Sequence, residues 1–97
     1  MIDLPSLWRE QQHATFPPSA LRFVAVDARA GALLTASLRG DGLPRALPPE
    51  KREELRRALE EAVAALGCLE DVEARIYFER LIVLGKAVLT RSPASCS

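Results

Sequence analysis

Histidine occurs once in this sequence and cysteine twice, and aromatic residues make up only 5% of it. With His13 alone, no H-x-x-x-H and no C-x-x-C, the usual zinc ligand patterns are absent and no metal is expected. Cys68 and Cys96 are too few for a secreted disulfide framework. Apolar runs such as Leu81-Ile82-Val83-Leu84-Gly85 are far shorter than a membrane span, so no membrane partner is expected. Met1-Ile2-Asp3-Leu4-Pro5 carries neither a basic n-region nor an apolar h-region, which argues against a signal peptide and for the cytoplasm.

An excess of charge of either sign is also missing. Thirteen basic residues balance thirteen acidic ones. The balance holds within each half, with five basic and four acidic over residues 1–47, and eight and nine over residues 48–97. Nucleic-acid binders concentrate positive charge on one face, so no nucleic-acid partner is expected. Gly40-Asp41-Gly42 lacks both the Walker spacing with its lysine and the G-x-G-x-x-G run, so no phosphate loop is read there and no cofactor is assigned.

What the chain does contain is ordinary globular material: 97 residues, 48% hydrophobic and 27% charged. One domain over residues 1–91 is expected, with residues 92–97 a disordered tail around Pro93. Eleven of the thirteen basic residues are arginine, a bias that fits a GC-rich coding sequence.

Asp3 and Pro5 suit a helix start, and Leu4, Leu7 and Trp8 follow at helical spacing to about His13. Phe16-Pro17-Pro18-Ser19 ends that helix. Leu21–Val26 and Ala32–Leu38 are apolar stretches separated by Asp27-Ala28-Arg29-Ala30-Gly31, which reads as a β-hairpin with Gly31 at a left-handed position. Gly40-Asp41-Gly42 breaks the second strand, and Leu43–Leu47 is an irregular link.

Pro48-Pro49-Glu50 opens a helix whose stripe is Leu55, Leu59, Ala62, Val63 and Leu66, with Glu53–Arg57 as an i,i+4 pair and Gly67 as its cap. A last helix runs from about Leu69 or Glu70 to about Thr90. Three residues or fewer between the two helices imply an antiparallel hairpin, with Glu60 opposite Arg75 and Arg56 opposite Glu79. The expected fold is therefore α+β in the order α-β-β-α-α, the β-hairpin covered by the helical hairpin.

No residue is assigned a catalytic role. His13 has no Ser, Cys or Asp tied to it by a local pattern and reads as an exposed or capping histidine. Cys68 precedes Glu70, Asp71 and Glu73, which oppose a thiolate, so it reads as a structural, partly buried cysteine. Asp27 and Asp41 could form an acid pair, but aspartate is common in turns for backbone reasons. Lys51, Arg52, Arg56 and Arg57 interleave with glutamates and read as a solvated helix face. A DNA-reading helix–turn–helix is disfavoured by the acidic start of the last helix.

The last helix carries two apolar faces. Ala74, Tyr77, Leu81, Leu84 and Val88 form one, and Leu69, Val72, Ile76, Val83 and Ala87, interrupted by Arg80, form the other. One helical partner and a two-stranded sheet cannot cover both, so a homodimer is expected, with Ile76, Tyr77, Leu81, Leu84 and Val88 as its interface. Trp8 with Phe16-Pro17, Asp27 with Gly31, and Tyr77-Phe78-Glu79-Arg80-Leu81 resemble short uncharacterised proteins of GC-rich bacteria, a resemblance that implies no particular activity. The leading functional expectation is a non-enzymatic interaction or regulatory module. A small-ligand-binding protein or enzyme, with a pocket between helices and sheet, is one alternative. An antitoxin-like or immunity-like partner protein is another.

Overall fold

A computed structural model describes residues 3–38, 45 and 47–90. The chain runs α1 (Leu4–His13), a 3₁₀ turn (Pro18–Phe23), α2 (Val24–Leu38), α3 (Pro49–Leu66) and α4 (Val72–Thr90). Among the described residues there is no strand, and the α+β expectation is corrected to an all-α architecture. The expected breaker at Gly40-Asp41-Gly42, most of the Leu43–Leu47 link and the tail after Arg91 lie outside the described residues.

In place of the expected β-hairpin stand the end of the 3₁₀ turn and the helix α2. Val26, Ala30, Leu33, Leu34, Ser37 and Leu38 are its buried positions, and they recur at spacings of three, four and one. Asp27 and Gly31 occupy helical positions instead of a turn, and a Cβ on Gly31 would meet nothing within 4 Å. Two prolines and the kink at Ala20 (φ −106°, ψ 19°) separate this helix from α1.

The helix termini follow local chemistry. Asp3 caps α1, its side chain accepting from the Ser6 amide at 3.3 Å. Asp71 caps α4 by accepting from the Ala74 amide at 3.2 Å, and also receives the Ser19 hydroxyl at 3.1 Å. Pro49 begins α3. Gly67 caps it with an ordinary right-handed backbone (φ −66°), so no special glycine conformation is involved.

α3 and α4 are antiparallel, as the short connection requires. Arg52 at the start of α3 donates to the Leu89 carbonyl near the end of α4 at 2.9 Å, and Arg75 near the start of α4 donates to the Leu66 carbonyl at 2.9 Å. The expected cross-helix ion pairs do not form. Residues 67–71 make a longer link than a turn centred on Gly67-Cys68, and α4 slides accordingly. Arg75 therefore reaches the last carbonyl of α3, Leu66, and that of Leu69 in the link, while Arg56 pairs with Glu53 and Glu60 of its own helix.

α4 packs against α1, α2 and α3 and forms the centre of the domain. Phe78, Leu81, Leu84 and Val88 are buried in it beside Leu34, Leu38 and Leu55. Leu59 of α3 packs tightly over Gly85 of α4: a Cβ on residue 85 would lie 2.5 Å from Leu59 Cδ2. Each fully buried Leu or Val here contributes about 1.5–3 kcal/mol relative to exposure. The α2–α3 seam ends in a two-pronged pair, Arg29 to Glu61, at 3.0 and 3.1 Å. It is well exposed, so its contribution is small.

Candidate functional site

Pro17 and Pro18 turn the chain after α1 and lay Phe16 against α4. The Phe16 ring meets Tyr77 edge-on at 5.5 Å between centroids. Between residues 14–18 and α4 this leaves a cleft of about 280 Å³, into whose lining Glu73, Ile76, Tyr77 and Arg80 project from α4. Their spacing of three, four and seven residues puts all four on one side of the helix.

A chain of polar contacts runs beneath the cleft. Arg80 Nε donates to Gln11 Oε1 at 2.9 Å, and Gln11 Nε2 donates to the Tyr77 carbonyl at 3.4 Å. Gln11 is buried, so its amide is held in place. The Tyr77 hydroxyl donates to Asp27 Oδ1 at 2.8 Å. Burial, with the hydrogen bond to Asp27 behind it, pushes the Tyr77 phenol well above its ordinary pKa. Loss of solvent likewise raises the Asp27 carboxyl, and the Tyr77 hydrogen bond opposes that rise.

Of the five residues expected at an interface, the fold buries four. Tyr77, Leu81, Leu84 and Val88 are covered within the chain, because α1, α2 and α3 together surround what one hairpin could not. Ile76 alone remains at the surface, 45% exposed. With Val72, which is 67% exposed, and the half-buried Val83 and Ala87, it forms the outer stripe of α4. Arg80 lies beside that stripe.

Gln11 escaped the sequence reading, although a signal was there. Leu4, Leu7, Trp8 and Gln11 share helical spacing, so a polar residue occupies a core position of α1.

The remaining candidates lie apart from the cleft. His13 is exposed, its Nδ1 2.8 Å from the Arg9 carbonyl in its own helix. Cys68 is exposed at the α3–α4 link, which corrects the partly buried position expected for it, because it is Leu69 of the link that turns into the core while its neighbours face solvent. Asp27 is committed to Tyr77, and Asp41 lies outside the described residues. Apart from Arg52, which reaches the Leu89 carbonyl of α4, the basic residues of α3 are engaged within their own helix: Lys51 with Glu54 at 3.6 Å, Arg57 with Glu53 at 3.1 Å. Arg56, held by Glu53 and Glu60, draws the Glu53 carboxyl down to about 2.

Among the described residues no group of three or more His, Cys, Asp or Glu could hold a metal ion. No helix among them is long and apolar enough to cross a membrane. A second depression, about 340 Å³, lies between α3 and α4, walled by Leu59, Val63 and Leu89 and rimmed by Lys86 and Arg56.

The outer side of α2, with the 3₁₀ turn that leads into it, differs from the outer side of α3. Leu21, Val24, Ala25, Ala28, Ala32 and Thr35 are exposed and uncharged. The arginines that border them turn aside, Arg22 toward the Cys68 carbonyl and Arg29 toward Glu61.

No known protein family, no curated protein and no solved structure matches the chain.

Proposed function

We propose that this chain is a non-enzymatic interaction module that acts as a homodimer, two copies meeting through the outer face of α2. The observation that carries the proposal is the absence of charge from that face between Leu21, which is 65% exposed, and Thr35. A solvated helix normally shows polar and charged side chains on the side away from the core. α3 does so, with Lys51, Glu54, Arg57 and Glu60 outward.

A face of alanines suits a second helix more than any other occupant. Small side chains let two backbones approach to the lower end of the ~8–10 Å range of helix packing distances. A neutral strip is also its own complement, with no like charges to oppose across a two-fold axis, whereas a charged partner would call for charge here. One self-complementary surface closes a dimer without leaving a sticky remainder. The non-enzymatic part of the reading is supported by the placement of His13 and Cys68, both exposed and neither lining the cleft.

Light scattering at tens of micromolar tests the assembly. The unmodified chain should give twice its 10.6 kDa mass. Ala28→Glu or Ala32→Glu should give a folded monomer with the parent's helical circular dichroism, since both side chains point away from the core. A mass near 10.6 kDa for the unmodified chain would overturn the proposal.

A further inference from the structure

We infer that the cleft between residues 14–18 and α4 is a binding site for a small apolar monocarboxylate, with Arg80 as its anion-binding group. Most arginines of the described residues spend their charge on glutamates or on carbonyls at helix ends. Arg80 does not. Its partner is the neutral amide of Gln11, and it forms no salt bridge among the described residues. Gln11 is anchored in turn on the Tyr77 carbonyl, so the guanidinium is aimed before any ligand arrives. A buried amide that orients a cation without neutralising it leaves a full positive charge on the wall of an apolar cleft.

The other walls set the rest of the ligand. Phe16, Pro18 and Ile76 present ring edges and aliphatic carbon, which suit an aromatic or branched aliphatic body. At about 280 Å³ the cleft falls just below the ~300–1,000 Å³ of sites for drug-sized molecules, so a body of one ring fits and a nucleotide does not. Glu73 stands two helical turns before Arg80 on the same side of α4. Its carboxylate repels a second negative charge, which disfavours dicarboxylates and inorganic phosphate. This site is independent of the dimer: it uses residues of α4 and 14–18, and none of the α2 face.

Amide NMR spectra of the full chain, titrated with phenylacetate, phenylacetamide, phenylsuccinate and inorganic phosphate, read the site directly. Phenylacetate should produce saturable shifts confined to residues 11–18 and 73–80, with a dissociation constant of order millimolar, as befits a ligand of about ten heavy atoms. The neutral phenylacetamide should bind about tenfold more weakly, the usual worth of a charge-assisted hydrogen bond. Phenylsuccinate and phosphate should be weaker than phenylacetate. Arg80→Met should lose the preference for acid over amide, and Arg80→Lys should keep part of it. Equal binding of acid and amide by the unmodified protein, or no saturable shift at 20-fold the expected constant, overturns the inference without reference to any variant. A dimer that fails to form in light scattering leaves these shifts untouched, so the two proposals fail separately.

Discussion

The Tyr77 hydroxyl donates to Asp27 Oδ1 at 2.8 Å and so ties the second turn of the central helix α4 to the first turn of α2. It is a side-chain hydrogen bond between residues fifty apart in sequence, made where both groups are partly withdrawn from water. A carboxylate in that position is costly unless something donates to it.

Tyr77→Phe keeps the ring packed on Phe16 and Phe78 and removes only the donor. The variant should be less stable by about 1–2 kcal/mol, measured by urea denaturation at pH 7. An unchanged midpoint would mean that water satisfies Asp27 equally well.

Two carboxyls should leave opposite marks on the pH dependence of stability. The folded state raises Asp27 above its reference value of 3.8, so it binds a proton more readily than the unfolded chain does. That contribution penalises folding as pH rises past 3.8 and vanishes below it. Asp27→Asn should therefore gain on the parent at pH 7 and lose that advantage near pH 3 in thermal melts. Glu53 is depressed from 4.5 to about 2, chiefly by its hydrogen bond from Arg56, so its contribution is complete above 4.5 and disappears as pH falls toward 2. Glu53→Gln should flatten that acid limb, and because the side chain is close to half exposed, added salt should flatten it too.

Gly31→Ala should raise stability by up to about 1 kcal/mol, the difference between glycine and alanine inside a helix. The added methyl meets nothing within 4 Å. A β-hairpin with Gly31 at a left-handed position would lose stability on the same change, so the direction of the shift in a thermal melt separates the two structures at one residue.

Gly85→Ala should act in the other direction. Its Cβ would press on the Leu59 side chain, which is itself buried, and overpacking of this kind costs about 1–3 kcal/mol. Leu59→Ala alone opens a cavity, at about 2–5 kcal/mol. Denaturation of the double variant should show less damage than the two changes added together.

How far the fold could be read from sequence depended on contrast. α1 and α3 alternate apolar and charged positions around the helix, and their starts carry Asp3 and Pro49, so their boundaries were legible. α2 has almost no such contrast. Its buried positions include Ala30 and Ser37, its outer positions are mainly alanine, and the two sides blur into apolar stretches that mimic strands. Asp27 and Gly31 then looked like a turn, although Asp27 faces Tyr77 and Gly31 is an unremarkable helical residue. The property that hid this helix, an outward side as bland as its inward one, is the one on which the dimer proposal rests. In the cleft, Arg80 stands out as the break in an apolar stripe, while Ile76 and Tyr77 read as members of the two apolar faces. The buried partner of Arg80, Gln11, lies in a different helix, and no spacing rule joins residues sixty-nine apart.

The fit of Leu59 over Gly85 also has a consequence for how this chain can drift. Two positions far apart in the sequence behave as a single letter with two halves. A larger residue at 85 costs least alongside a smaller one at 59, and an exchange at either alone carries the full penalty of crowding or cavity. Gly31 and Gly67 are under no such bond, since a methyl at 31 meets open space and one at 67 meets only the Ala64 carbonyl at ordinary contact distance, 3.5 Å. Among descendants of this sequence, substitutions at Gly31 and Gly67 should accumulate singly, while those at Gly85 should arrive in pairs with Leu59.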